Sequence, residues 1–110
     1  MLYLTSGTRV WLAREPVDFR RQLDGLIALC QHQFKHDPRS GSLFVFINRS
    51  RTMIRVLCYE ENGYWLATKR LSRGHYTLWP FHKNEAMSER HASELTKILK
   101  TFVVSKRKNR

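Results

Sequence analysis

Apolar and polar positions change period several times along the chain, and each change marks an element. Residues 8–13, Thr8-Arg9 followed by four apolar residues and stopped by Glu15-Pro16, predict a short strand. From Asp18 the spacing lengthens, and Phe19, Leu23, Leu26, Ile27, Cys30 and Phe34 fall on one face of a helical wheel. Asp18 is placed to cap that helix and Asp37-Pro38 to end it. The opposite face carries Arg21, Asp24, His32 and Lys35, an ordinary solvated surface, with Asp24 spaced to pair with Arg20. Leu43–Ile47 is apolar at every position, the pattern of a central strand covered on both faces. Residues 48–52 lead into a strand over 53–59, and the Asn62-Gly63 hairpin signal leads into another over 64–70. A last strand is expected over 76–79, after the Arg73-Gly74 turn. Connections this short predict an antiparallel meander. Past Pro80 the chain is polar until Ser88, a candidate cap for a second helix whose apolar face is Ala92, Leu95, Ile98, Leu99 and Phe102. The expected fold is α+β: a meander sheet of four to five strands with two helices packed on one face. The whole forms one domain over 1–104, followed by a disordered basic tail over 105–110.

Composition supports a folded core. Hydrophobic residues make up 42% of the 110 and aromatics 12%, too many for a disordered basic chain. No apolar run approaches the roughly 18 residues of a membrane span. The first seven residues lack a charged leader, so a cytoplasmic protein is expected. Cys30 and Cys58 lie inside apolar segments without a CxxC and read as buried, reduced thiols.

Charge changes the picture most. Twenty Lys and Arg against nine Asp and Glu give a formal net charge of +11, which opposes compaction and points to an anionic partner. The cations are clustered. Arg49, Arg51 and Arg55 lie in and after one loop, and Lys69, Arg70, Arg73 and His75 in the next loop at the same end of a meander. Lys106, Arg107, Lys108 and Arg110 crowd the tail, and Arg20 and Arg21 stand at the first helix. Each is a candidate phosphate contact, with counterion release driving association. Tyr64, Trp65, Tyr76 and Trp79 are candidates for base stacking, though their alternation in strands reads mostly as core.

Candidate catalytic groups are thin. Metal-dependent chemistry on DNA needs clustered carboxylates, whereas the acids here read as caps, turn residues and first-turn helix residues. His32 and His36 have a one-face helical spacing but no evident third ligand, and His91 reads as a packed residue at the edge of an apolar face. With no Gly-rich phosphate loop, GxSxG or HExxH, neither an enzyme nor a cofactor is expected.

Ordered blocks carry a resemblance. They are Ser6-Gly7-Thr8-Arg9-Val10-Trp11-Leu12, then Asp18-Phe19-Arg20-Arg21 with Asp24-Gly25-Leu26, then residues 37–46, and lastly Lys69-Arg70-Leu71-Ser72-Arg73-Gly74 with Trp79-Pro80. In this order and spacing the chain resembles the TnpB accessory proteins of insertion-sequence family 66, over about residues 4 to 99. The resemblance implies a non-catalytic accessory role in transposition of a bacterial mobile element, beside a separate transposase. Expected partners are therefore DNA, in particular the transposon ends, and that transposase. A module that binds the transposase without touching DNA, or one that binds RNA, are the alternatives.

Overall fold

Strand β2 (Leu43–Ile47) is buried at every position and stands at the centre of the architecture. The computed structural model describes residues 7–80 and 87–104. On one side β2 pairs antiparallel with β3 (Met53–Glu60), and β3 pairs with β4 (Gly63–Arg70). On the other side it pairs in parallel with β1 (Val10–Ala13), whose outer neighbour is the antiparallel β6 (Met87–Arg90). The five-stranded order is thus β4, β3, β2, β1, β6. Only β2, β3 and β4 form the expected meander. The β1-to-β2 connection is a crossover through α1 (Leu23–Ala28) and a continuing π-helical turn (Leu29–Gln33), because parallel neighbours cannot be joined by a hairpin.

The two helices lie on opposite faces, which corrects the expectation of one covered face. Leu43, Val45 and Ile47 pack with Ile54, Val56, Leu95 and Ile98, the last two from α2 (Ala92–Lys100). Phe44 and Phe46 point the other way and pack with Leu57, Leu26, Leu29 and Cys30 from the α1 segment. A strand apolar at every position has two faces to hide, and one helix layer covers only one of them.

Element boundaries also move. The first helix begins at Leu23 after an uncapped Gln22, because Asp18 is occupied elsewhere: its carboxylate accepts from the Arg20 backbone N–H and from the Arg20 guanidinium. Arg20 therefore pairs with Asp18 and not with Asp24. Ser88 is a strand residue, and α2 starts at Ala92 with an exposed His91 at its N-cap position, not packed into an apolar face. The β3–β4 turn consists of Glu61 and Asn62, and its positive φ (57°) falls on Glu61. The expected strand over 76–79 shrinks to β5 (His75–Tyr76), which pairs with β7 (Phe102–Val103) in a separate two-stranded sheet. Trp79 leaves that strand to become core, and its indole N–H donates to the Ala13 carbonyl at 3.0 Å. The expected tail over 105–110 lies outside the described residues.

One glycine is demanded by this arrangement. Gly74 has φ of +79°, and a Cβ there would lie 2.2 Å from the carbonyl oxygen of Val103. Gly74→Ala is therefore expected to destabilise the fold by about 2–4 kcal/mol through left-handed strain and overpacking. Urea denaturation measures this, and an unchanged midpoint would mean that the turn does not pack on β7.

Candidate nucleic-acid interface

The end of the sheet where β2 finishes, β3 starts and β4 finishes gathers most of the candidate cations. Asn48 organises the first loop. Its side-chain oxygen accepts from the backbone N–H of Thr52 (2.9 Å) and Met53 (3.0 Å), while its amide donates to the hydroxyls of Ser50 and Thr52. Its own backbone exchanges bonds with Met53 and Arg51. Asn48 is buried, so this network is shielded from competing water. It holds Arg51 at a φ of 61°, a left-handed conformation rare for arginine, and leaves Arg49 and Arg51 exposed.

Two backbone bonds then join this loop to the next basic segment. The Leu71 N–H donates to the Thr52 carbonyl (2.9 Å), and the Tyr76 N–H donates to the Arg51 carbonyl (2.8 Å). Arg49 and Arg51 are thereby tied to the segment carrying Arg70, Arg73 and His75. Arg70 and Arg73 are exposed and His75 is half-buried in β5. No carboxylate pairs with Arg49, Arg70 or Arg73 among the described residues.

Lys69 takes a different part from its neighbour. It sits across from Ile54 on the α2 face, whereas Arg70 sits across from Met53 on the α1 face. The Lys69 ammonium donates to the Leu99 carbonyl at 2.8 Å, satisfying an orphan acceptor at the C-terminal end of α2. That bond draws the last turn of α2, with exposed Lys97 and Lys100, to the same end of the molecule. The linear sequence hid these two lysines, which read as the polar side of a helix.

Arg20 and Arg21 approach from the α1 face. They are placed by Arg55, whose guanidinium donates to the backbone carbonyls of Phe19 (3.0 Å) and Arg21 (2.8 Å) and to the Thr68 hydroxyl. It also lies over the Phe19 ring at 4.6 Å. Arg55 is consequently a clamp between β3 and the Phe19–Arg21 segment. Arg20 is held by Asp18, whose carboxyl is lowered to about 2 by hydrogen bonds from the Arg20 side chain and backbone. Arg21 is exposed. Lys106, Arg107 and Lys108 lie outside the described residues.

The aromatic and histidine candidates divide between core and surface. Tyr76 and Trp79 are buried, so neither offers a face to a base. Tyr64 meets Tyr59 edge-on (4.9 Å), and exposed Trp65 donates to Glu60. Phe102 is the exposed aromatic ring nearest the basic loops in the strand register. His36 packs against Trp11 (4.4 Å) and lies 6.2 Å from Phe44, while His32 is exposed. No group of three metal-ligating side chains occurs among the described residues. Burial pushes the Cys30 thiol up to about 12 and raises that of Cys58, so both are poor nucleophiles. No helix among the described residues is long and apolar enough to cross a membrane.

Asn48→Ala tests the loop scaffold. It removes four side-chain bonds and leaves buried donors unsatisfied, and is expected to cost about 2–4 kcal/mol. Equilibrium unfolding reads this, and a cost below about 0.5 kcal/mol would show that the loop does not depend on Asn48.

Comparison with known proteins finds relatives of the sequence. A family model described as IS66 Orf2 like protein matches residues 8–109. The uncharacterized protein y4jC of Sinorhizobium fredii is 35% identical over 80 residues, covering 73% of this chain and 68% of that protein. The uncharacterized protein y4hO of the same organism is 35% identical over 88 residues, covering 80% and 76%. No solved structure matches.

Proposed function

The chain belongs to the IS66 Orf2-like family of insertion-sequence accessory proteins, and from that premise we propose that it binds DNA at the ends of its element. The observation that carries this reading is the joining of two basic loops by backbone bonds, with Arg49, Arg70 and Arg73 free of carboxylate partners among the described residues. An isolated surface charge is commonplace. Unneutralised cations fixed at one end of a rigid sheet raise the local potential and suit a polyanion.

The division of labour follows from geometry. Arg70 and Arg73 contact phosphates from the end of β4 and the turn after it, and Arg49 and Arg51 do so from the adjacent loop. Neighbouring strands stand about 4.8 Å apart, so these guanidinium groups address one short stretch of backbone. Arg21 and Lys100 flank them from the two faces. Lys69 keeps α2 in place and contributes its charge without leaving the Leu99 carbonyl. His75, half-buried in β5, borders the site. The role is non-catalytic: these contacts position the protein on the duplex, and counterion release supplies the sequence-independent part of the affinity.

Arg70→Ala/Arg73→Ala is expected to weaken DNA binding and to lower the slope of log K against log salt by about 1.8, which is about 0.9 for each phosphate no longer neutralised. The circular dichroism spectrum should stay unchanged, since both side chains are exposed and neither is paired with a carboxylate among the described residues. Fluorescence anisotropy across a salt series measures the effect. An unchanged slope would remove this end of the sheet from the site and favour an acidic surface of the transposase as the partner. Preferential competition by single-stranded RNA would instead point to stacking on Phe102.

A further inference from the structure

Among the described residues strand β4 is an edge of the five-stranded sheet, and little there protects it from pairing with a further strand. It runs in unbroken register with β3 over eight residues, with neither a proline nor a bulge to blunt it. Hydrogen bonding alternates outward from the two-residue turn. The backbone N–H and C=O of Tyr64, Leu66, Thr68 and Arg70 therefore point away from β3. Charge on this strand is confined to Lys69 and Arg70 at its far end, and residues 64–68 are uncharged. Among these sits Trp65, 46% exposed. At the near end two exposed acids stand together, Glu60 closing β3 and Glu61 in the turn.

We propose that this edge is a homodimer interface in which the β4 strands of two copies pair antiparallel about a twofold axis at Trp65. A twofold axis normal to the sheet lets each face continue into the same face of the partner, closing both free edges at once. With the axis at Trp65, the two indoles oppose one another as a close, non-hydrogen-bonded pair. Tyr64 and Leu66 then exchange backbone bonds in both directions, and Gly63 lies opposite Ala67. The same register sets the acidic turn of each copy beside the Lys69–Arg70 end of its partner. Moving the axis to Leu66 brings Glu61 level with Leu71 and forfeits that match. General repulsion between two chains of net charge +11 opposes association. It is screened beyond about 8–10 Å at physiological salt, whereas the turn and strand end are in contact.

The dimer also sets a spacing. The two Arg70 residues stand ten steps apart along the paired strands, about 33 Å at about 3.3 Å per residue. One turn of B-DNA is about 34 Å, so two basic ends meet the same side of a duplex one turn apart. This spacing rests on the DNA-binding reading, whereas the dimer itself does not.

Sedimentation of the full chain without DNA, from about 1 to 100 μM, tests the dimer. A monomer–dimer equilibrium in the micromolar range is expected. Trp65→Lys sets two cations against each other at the axis and should weaken dimerisation about tenfold. Because Trp65 is exposed, circular dichroism should show the fold retained. Glu61→Lys should weaken the dimer as well, because it sets a cation beside the Lys69–Arg70 end of the partner. A monomer throughout this range, or a dimer indifferent to both Trp65→Lys and Glu61→Lys, would overturn the proposal. Failure to bind DNA has no bearing on this outcome, so the two readings fail separately.

Discussion

The constraint on which this structure depends is the burial of β2 on both faces. Leu43, Val45 and Ile47 need one apolar cover, and Phe44 and Phe46 need another. A meander with both helices on one side would leave two phenylalanines in water, at roughly 1.5–3 kcal/mol each. The chain meets the demand with a crossover: β1 runs parallel to β2, α1 covers one face on the way, and α2 returns later to cover the other. Placing β1 inside the sheet leaves β4 and β6 as its edges.

The basic site is a by-product of the same layout. Because β2, β3 and β4 form the meander, the loop after β2 and the segment after β4 emerge at one end, where backbone bonds from Leu71 and Tyr76 fuse them. Covering the α2 face brings the C-terminus of α2 to that end, with Lys69 on the Leu99 carbonyl. Covering the α1 face brings Arg20 and Arg21 alongside, held by Arg55. Cations dispersed through the sequence thus meet because an apolar strand had to be covered twice.

Local features were legible in the sequence, and long-range ones were not. The β2–β3–β4 strands follow from alternation and short turns, and the shared end of the two basic loops follows from meander geometry. The parallel β1–β2 pair is invisible locally, since a strand next to a helix gives no sign of its neighbour in the sheet. The late helix start was hidden because Asp18 looks like a cap, while its carboxylate is committed to Arg20 two residues on. Arg55 reads as one more surface cation until its carbonyl partners, over thirty residues away, are seen. Asn48 carried a weak signal, an Asn opening a turn rich in Ser and Thr. The lysines of α2 carried none, because their contribution depends on where the helix ends in space.

The central claim is that the basic end of the sheet recognises the ends of the element and is not merely a charged surface. Affinity for the element's own terminal repeat, compared with scrambled DNA of equal length across a salt series, tests it most directly. A preference for the terminal repeat that persists at about 0.2 M salt is the expected result, since base or shape readout survives when counterion release weakens. Equal binding to both sequences that collapses together as salt rises would contradict it.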